Sequence, residues 1–237
     1  MSENTTANLD LPLLMPAQAQ KHVTVNDALL RLDGQVDLLL QSISRTNPPA
    51  AAADGLCWAV PQGATGAWQG QTGRIAIVAN GGWVFITARQ GRRAMIADQG
   101  VTAIFSGTDW VAGALNLGTH GSGLVAMQNS VEVQIGTGAS VETGLYIPPG
   151  ALVLGVTSKV KQAVSGTLTS WQVGTNGAEG RFGQGLGKAE GSWGRGILSA
   201  PMTYWNLAQV LLTATGGQFT GGRVRLVAHW LELRIPD

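Results

Sequence analysis

Residues 74–87, RIAIVANGGWVFIT, set the fold class of this 237-residue chain. Two runs rich in β-branched and aromatic residues flank Asn80-Gly81-Gly82, and an Asn-Gly pair between two such runs is a strong β-hairpin signal. Short apolar runs bounded by glycine recur through most of the sequence. Glycine supplies 34 of the 237 residues, about twice its usual share of ~7%. The pattern predicts a mainly β protein with many tight turns.

We place this hairpin in a small tryptophan-rich β module over residues 56–111. Its strands are expected at 57–60, 74–79, 83–87, 93–97 and 102–105, with a last one at 110–111. Four tryptophans recur there, each near a glycine: Trp58, Trp68, Trp83 and Trp110. These rings either form an aromatic core or present flat faces on which a sugar can stack, and the sequence leaves both interpretations open.

A second β domain is predicted over residues 130–237, after a connection at 112–129. Alternating apolar and polar residues indicate strands at 131–135, 140–146, 152–161, 167–173, 196–198, 209–213 and 224–233. This number of strands favours a β-sandwich or jelly-roll-like fold.

Two features of that domain give sharper expectations. On its last strand we expect one face to point at the core, namely Val224, Leu226, Ala228, Trp230 and Glu232. Residues 174–193 are so dense in glycine that we predict a long irregular loop there.

Residues 1–46 are interpreted as an arm followed by an oligomerisation helix, and residues 47–55, with Pro48-Pro49, as a linker. Pro12 and Pro16 prevent a continuous helix within residues 1–24, and the apolar arm is expected to dock on its own body or on another subunit. From Asn26, a good N-cap, to Ile43, apolar residues recur at spacings typical of a coiled-coil seam: Val25, Leu29, Leu32, Val36, Leu39 and Ile43. The helix packs on its own domain or forms a homo-oligomer; we favour the homo-oligomer.

Composition excludes several classes of partner. A net charge of +1 and 12% charged residues disfavour nucleic acid, because phosphate binding needs a basic surface. No apolar run approaches the ~18 residues of a membrane span, so membrane insertion is not expected. Cys57 is the single cysteine; it cannot form an intramolecular disulfide and is expected to be a small buried side chain.

Signatures of catalysis are weak. Glycoside hydrolysis needs two carboxylates about 5–10 Å apart, and Glu179 and Glu190, in the glycine-rich segment, are the best candidates for such a pair. No G-x-S-x-G elbow is present, and the three histidines are scattered. We therefore predict no catalytic residue, no cofactor and no metal, and leave open whether Asn176 and Glu179 hold an ion.

A family resemblance suggests a function. Residues 9–33, LDLPLLMPAQAQKHVTVNDALLRLD, together with the linker and ATGAW at 64–68, resemble an uncharacterised phage-type family encoded among the tail and fibre genes of alphaproteobacterial prophages and gene transfer agents. Further motifs are similar to domains that end phage-like structural proteins: PGA at 149–151, LGV at 154–156, RFG at 181–183 and QFTGG at 218–222. The resemblance implies a head spike or fibre that contacts host capsular polysaccharide and brings no catalytic residue.

We therefore expect a non-enzymatic spike or fibre component of a phage-like particle that adheres to host surface polysaccharide. It would bind other particle proteins through its arm, be made in the cytoplasm without a signal peptide, and leave as part of the particle. Glycan contacts are expected from exposed rings and directional donors: Trp193, Tyr204, Trp205, Arg181 and Asn176. The alternatives are a purely structural connector, with the receptor-binding tip on another chain, and a capsule depolymerase.

Overall fold

The computed structural model describes residues 5–15 and 21–236. The chain divides into two compact units, Met1–Gly123 with Ile235–Asp237, and Leu124–Arg234. The first unit contains one α-helix and a seven-stranded mixed sheet, and the second contains two four-stranded antiparallel sheets that form a sandwich. The predicted mainly β fold with an N-terminal helix and a C-terminal sandwich is confirmed.

In the first unit, α1 covers Lys21–Asp33 and precedes all the strands. The strands are β1 Leu39–Leu40, β2 Cys57–Ala59, β3 Arg74–Ala79, β4 Gly82–Thr87, β5 Arg93–Ile96, β6 Val101–Phe105 and β7 Trp110–Ala112, with a 3₁₀ helix at Gly66–Trp68. The sheet order is β4-β3-β2-β1-β5-β6-β7. Only β1 pairs in parallel, with β2 on one side and β5 on the other, so it joins two antiparallel meanders.

The predicted helix over residues 26–43 is wrong at both ends. α1 begins before Asn26, which is therefore not its N-cap, and it ends at Asp33. Gly34 follows, and a Cβ there would lie 2.7 Å from the Ile77 side chain, so any larger residue at this turn would force Ile77 to move. The next apolar residues alternate as in a strand, with Leu38 and Leu40 buried and Leu39 exposed.

The first unit buries tryptophans at its core. Trp58 and Trp68 are 6% and 0% exposed, and half-buried Trp83 meets both rings edge-on, with centroids 5.6 and 5.2 Å away. Trp110 is also half-buried and packs against Phe105, at 5.3 Å between centroids. Of the two interpretations of this module, the aromatic core is the one that the packing supports.

The second unit is built from longer strands. They are β8 Gly123–Gln134, β9 Ser140–Ile147, β10 Ala151–Gly166, β11 Ser170–Thr175, β12 Ala178–Leu186, β13 Trp193–Tyr204, β14 Ala208–Thr215 and β15 Phe219–Arg234. One sheet, called here the β10 sheet, has the order β13-β10-β15-β8, and the other has the order β12-β11-β14-β9. Aliphatic side chains from both sheets, together with Trp171, Phe182 and Phe219, form the core between them.

The expected core face of the last strand is confirmed for four of its five residues. Val224, Leu226 and Ala228 are fully buried and Trp230 is 6% exposed, whereas Glu232, near the strand end, is half-buried. Alternation is clean here because one face of β15 packs on the core and the other does not.

Two predicted irregular segments contain strands. Within residues 174–193, Ala178–Leu186 forms β12, which pairs with β11 around a turn at Asn176-Gly177. The connection predicted at 112–129 contains the start of β8. Glycine is required in this hairpin by close backbone approach, because a Cβ at Gly174 would collide with the backbone of Ala178 and Glu179. Glycine here reflects tight strand packing rather than an open loop.

Candidate functional site on the β10 sheet

The outer face of the β10 sheet carries the most developed candidate site of the second unit. Register aligns residues of β13, β10 and β15 in three outward-facing rows: Trp193–Lys159–Arg225, Arg195–Thr157–Val227 and Ile197–Gly155–His229. Directly opposite residues on paired strands point to the same face. The residues between these rows on β10 and β15, such as Val156 and Leu226, are buried, so the three rows face away from the core.

A shallow groove of about 510 Å³ lies over the third row. Gly155 forms part of its lining, and a Cβ at this position would collide with the Gly196 carbonyl of the neighbouring strand. Mostly apolar side chains line the rest, including Leu154, Ile197 and Pro201. The volume falls within the roughly 300–1,000 Å³ typical of small-molecule sites.

Exposed aromatic and cationic groups flank this groove. The Trp193 side chain is 68% exposed, and the Arg195 guanidinium carbon lies 5.8 Å from its ring centroid, within cation–π range. Lys159 stands directly opposite Trp193 on the neighbouring strand and is exposed. The arrangement presents an apolar ring bordered by hydrogen-bond donors.

One carboxylate balances part of this positive charge. Glu132 on β8 forms ion pairs with Arg225 at 2.7 Å and Arg223 at 3.4 Å. The hydrogen bond from Arg225 lowers the pKa of Glu132, and the charges of Arg223, Arg225 and Lys161 lower it further. Glu132 is therefore ionised at neutral pH, and it is shared between two arginines.

His229 adds a polar group to the groove. Its Nε2 lies 3.2 Å from the Thr157 hydroxyl oxygen, and burial lowers the pKa of its imidazole. Since the ordinary value is about 6.5, the ring is mainly neutral at pH 7. A neutral imidazole has one donor and one acceptor nitrogen, so this pair can hydrogen-bond a hydroxyl-rich ligand.

The five predicted glycan contacts do not converge on one place. Trp193 begins β13 and Tyr204 ends it, and Trp205, 80% exposed, follows. Arg181 on β12 contacts the sulfur of Met202 at 3.1 Å, and Asn176 lies in the β11–β12 turn. Tyr204 packs against the core, and its buried hydroxyl has no partner within the described chain. Their roles as glycan contacts stay predictions.

Sequence reasoning missed the residues that surround Trp193. Strand pairing places Lys159 opposite Trp193 and places Thr157 and His229 along the groove. All three residues lie far from Trp193 in the sequence. One local signal was available, because Trp193, Arg195 and Ile197 alternate and so share a face if the segment is a strand.

A second exposed surface lies at the other end of β13. Trp205, Leu207 and Leu233 are exposed at 80%, 62% and 84%, and Trp205 and Leu233 border a cavity of about 350 Å³ lined also by Leu152 and Leu231. The residues are almost all apolar, so this surface offers few directional contacts to a sugar.

The predicted oligomerisation seam is exposed but is not one helical stripe. Val25 and Leu32 on α1 are 41% and 49% exposed, and Val36 and Leu39, beyond the helix, are 41% and 45% exposed. Leu29 and Ile43 are half-buried. These six residues come from a helix, a turn, a strand and, for Ile43, a bend beyond the strand. Whether they join copies of the chain stays a prediction.

The described part of the arm docks on its own unit. The buried Asp33 carboxylate, 1% exposed, accepts hydrogen bonds from the backbone N–H groups of Asn8 and Leu9. The Asn26 side chain binds both backbone groups of Leu14. Of the two docking possibilities, own body or another subunit, residues 5–15 take the first; the predicted break at Pro16 lies outside the described residues.

The candidate catalytic groups are not assembled. Glu179 is the second residue of β12, whereas Glu190 lies four residues beyond the other end of that strand. Glu179 accepts a hydrogen bond from the Gly177 N–H. No group of three or more His, Cys, Asp or Glu that could hold a metal occurs among residues 5–15 and 21–236. Cys57 is buried, as predicted, and desolvation raises the pKa of its thiol to about 12, so it is not a thiolate nucleophile at neutral pH.

No helix in the described part of the chain combines the length and the apolar character that a membrane span requires.

Residues 25–111 match the family model described as Protein of unknown function (DUF2793). No curated protein matches the chain. A solved structure described as the Cyanophage Pam1 capsid asymmetric unit is similar to it with 21% identity and a TM-score of 0.35, covering 50% of this chain and 91% of that one. At this score the structural similarity carries no argument about fold or function. The family match lies within residues 9–111, where the sequence carries its phage-type resemblance.

Proposed function

We propose that the chain is a spike or fibre component of a phage-type particle and adheres to host surface polysaccharide through the outer face of the β10 sheet. The observation that carries this proposal is the exposed Trp193 ring, bordered by Arg195 and Lys159. A large ring left 68% exposed on a regular strand contributes little to folding and is suited to stack against the apolar C–H face of a sugar.

The polar groups around the Trp193 ring can orient a bound sugar through directional hydrogen bonds. An arginine offers five N–H donors and a lysine three, so Arg195 and Lys159 can bind sugar hydroxyls or carboxylates while Trp193 covers the ring. Thr157 and His229 add neutral partners nearby. Each contact is weak, and binding through several copies strengthens it by raising the effective concentration. The exposed apolar residues of α1 are consistent with such an assembly.

A structural connector is the second candidate. It is favoured by the buried pair Trp58 and Trp68, which leaves the first unit without a row of exposed rings. In this role the apolar surfaces at α1 and around Trp205 would contact other particle proteins, and another chain would bind the host.

The test is cosedimentation of the purified protein with encapsulated cells and with isogenic cells that lack capsule. We expect pelleting that depends on capsule, without release of soluble sugar. Trp193→Ala should weaken binding about 10-fold or more, in line with the cost of truncating a central tryptophan. Trp205→Ala is the matched control, since it removes an equally exposed ring at the other end of β13.

Each other outcome selects another function. Loss of binding in Trp205→Ala alone would move the site to the apolar end of the strand. Pelleting accompanied by released oligosaccharide would indicate a depolymerase, and absence of pelleting with either strain would favour the connector.

A further inference from the structure

We propose that the outer face of the β10 sheet selects acidic polysaccharides, with Lys159 binding the carboxylate of a uronic acid whose ring stacks on Trp193. This inference rests on the proposed function and adds the chemical class of the glycan. It comes from the charge of the face and from the position of Lys159 between Trp193 and Arg225.

Positive charge is concentrated on this face. The chain has 15 Lys and Arg residues against 14 Asp and Glu. Five of the basic residues lie on or beside the three rows: Lys159, Lys161, Arg195, Arg223 and Arg225. Glu132 forms ion pairs with two of them, Arg223 and Arg225. A chain of nearly zero net charge therefore presents a local excess of cations, which attracts anionic ligands.

Glu132 leaves part of this charge unbalanced. It holds Arg223 and Arg225, but no ion pair of Lys159 occurs among the described residues. Lys159 also stands directly opposite Arg225 on the paired strand, and like charges at directly opposite positions destabilise a sheet. Because Glu132 is engaged by the two arginines, the Lys159 ammonium beside the exposed Trp193 ring is the charge that an anionic ligand can neutralise.

The spacing suits one sugar residue. Neighbouring strands lie about 5 Å apart, so a sugar ring over Trp193 places its ring substituents near the Lys159 ammonium. A carboxylate there would form a charge-assisted hydrogen bond, which is roughly twice as strong as a neutral one. The groove over Gly155 lies four residues along β10 from Lys159, about 13 Å at ~3.3 Å per residue, and can take a later part of the polymer.

A single-stranded nucleic acid is the rival polyanion. Its binding sites combine a basic groove with several aromatic platforms on which successive bases stack. The face offers one exposed ring, Trp193, and the half-buried His229 is neutral at pH 7. One ring and a small patch fit a sugar acid better than a strand of stacked bases.

The experiment compares polymers that differ only in charge. Polygalacturonate, alginate and hyaluronate are each titrated into the full-length protein beside their carboxyl-reduced, neutral forms. We expect at least one acidic polymer to bind about 10-fold more tightly than its reduced form, and added salt to diminish the difference because it screens exposed charges. Single-stranded oligodeoxythymidylate is titrated in parallel.

Two substitutions locate the effect. Lys159→Gln should weaken binding of the acidic polymer about five-fold, the equivalent of one exposed charge pair. It should weaken binding of the reduced form by less, because the glutamine amide still donates a hydrogen bond to a sugar hydroxyl. Arg89→Gln removes the same charge from an exposed loop of the first unit and should change neither affinity. Circular dichroism of both variants establishes that they fold.

The outcomes separate this inference from the proposed function. Equal affinity for acidic and reduced polymers overturns the selectivity while adhesion stands. Failure to bind any of them also overturns it, and capsule-dependent pelleting then decides whether adhesion survives. Tighter binding of the oligonucleotide, lost in Lys159→Gln, would assign the face to nucleic acid.

Discussion

The seven-stranded sheet and the sandwich place their tryptophans differently. In the first unit Trp83 meets Trp58 and Trp68 edge to face, and the three rings form a core cluster among short strands. In the second unit, where strands of up to 16 residues give an extensive aliphatic core, Trp171 and Trp230 are buried but Trp193 and Trp205 stay on the surface. A small sheet needs large side chains to bury enough apolar area, whereas a large sandwich can leave rings free for contacts.

The largest effect should come from breaking the buried cluster. Trp68→Ala is expected to destabilise the first unit by about 3–5 kcal/mol, the usual cost of truncating a buried tryptophan. Trp193→Ala should change the free energy of unfolding by no more than about 0.5 kcal/mol, as for most surface substitutions. Urea unfolding followed by near-ultraviolet circular dichroism measures both, and equal losses would contradict the contrast between the units.

A smaller effect is expected where the arm meets the first unit. The buried Asp33 carboxylate accepts hydrogen bonds from the Asn8 and Leu9 N–H groups. Asp33→Asn keeps the shape of this side chain but removes its charge, and it should lower the free energy of unfolding by about 1–3 kcal/mol. Limited proteolysis within residues 5–15 should accelerate in parallel.

The matched control on the same helix is Asp27→Asn. Asp27 forms an exposed ion pair with Arg31 at 2.9 Å, and exposed helix pairs contribute only about 0.3–0.5 kcal/mol. If both variants lost the same stability, the arm would not depend on Asp33.

The smallest expected effect is the contribution of His229, in the sandwich, to the pH dependence of stability. Burial lowers the pKa of His229, so below the ordinary imidazole value of about 6.5 the unfolded chain takes up a proton more readily than the folded one. Stability should therefore decline as pH falls through that value and level off below the folded-state pKa. His229→Gln should flatten this part of the stability curve measured by urea titration at several pH values.

His120→Gln, in an exposed loop of the first unit, serves as the comparison. A stability curve that keeps its slope in His229→Gln would show that another group binds the proton.

Much of the fold was predictable because its signals are local. The hairpin at Asn80-Gly81 and the alternation of Val224, Leu226 and Ala228 each need only a few residues to be recognised, and the structure confirms both. The helix end at Asp33 was missed because the run Leu38–Leu39–Leu40 suits either a helix or a strand until its partners are known. The glycines of β12 were predicted to form a loop for a similar reason. Their role is close contact with the backbone of other strands, which cannot be recognised until the pairing is known.

The candidate site was predictable only in part. A surface position for Arg181 follows from residue type. The exposure of the Trp193 ring does not, and several of its neighbours come from two other strands. Thr157 and Val227 meet only because β10 and β15 pair in one register, and a shift of one residue would turn each to the opposite face. Long-range register of this kind leaves no mark in a single sequence.

The two-residue strand β1 has a consequence for how the first unit folds. The meanders β2-β3-β4 and β5-β6-β7 join strands close in sequence, so each can form early and independently. The β1 segment then connects them: the Leu38 and Leu40 carbonyls accept hydrogen bonds from the Met95 and Ala97 N–H groups, and the Gln41 N–H donates to the Cys57 carbonyl. Because pairing with β5 spans a long stretch of chain, we expect this central insertion to be the slow step of folding. The last strand to enter would then be the one in the middle of the sheet.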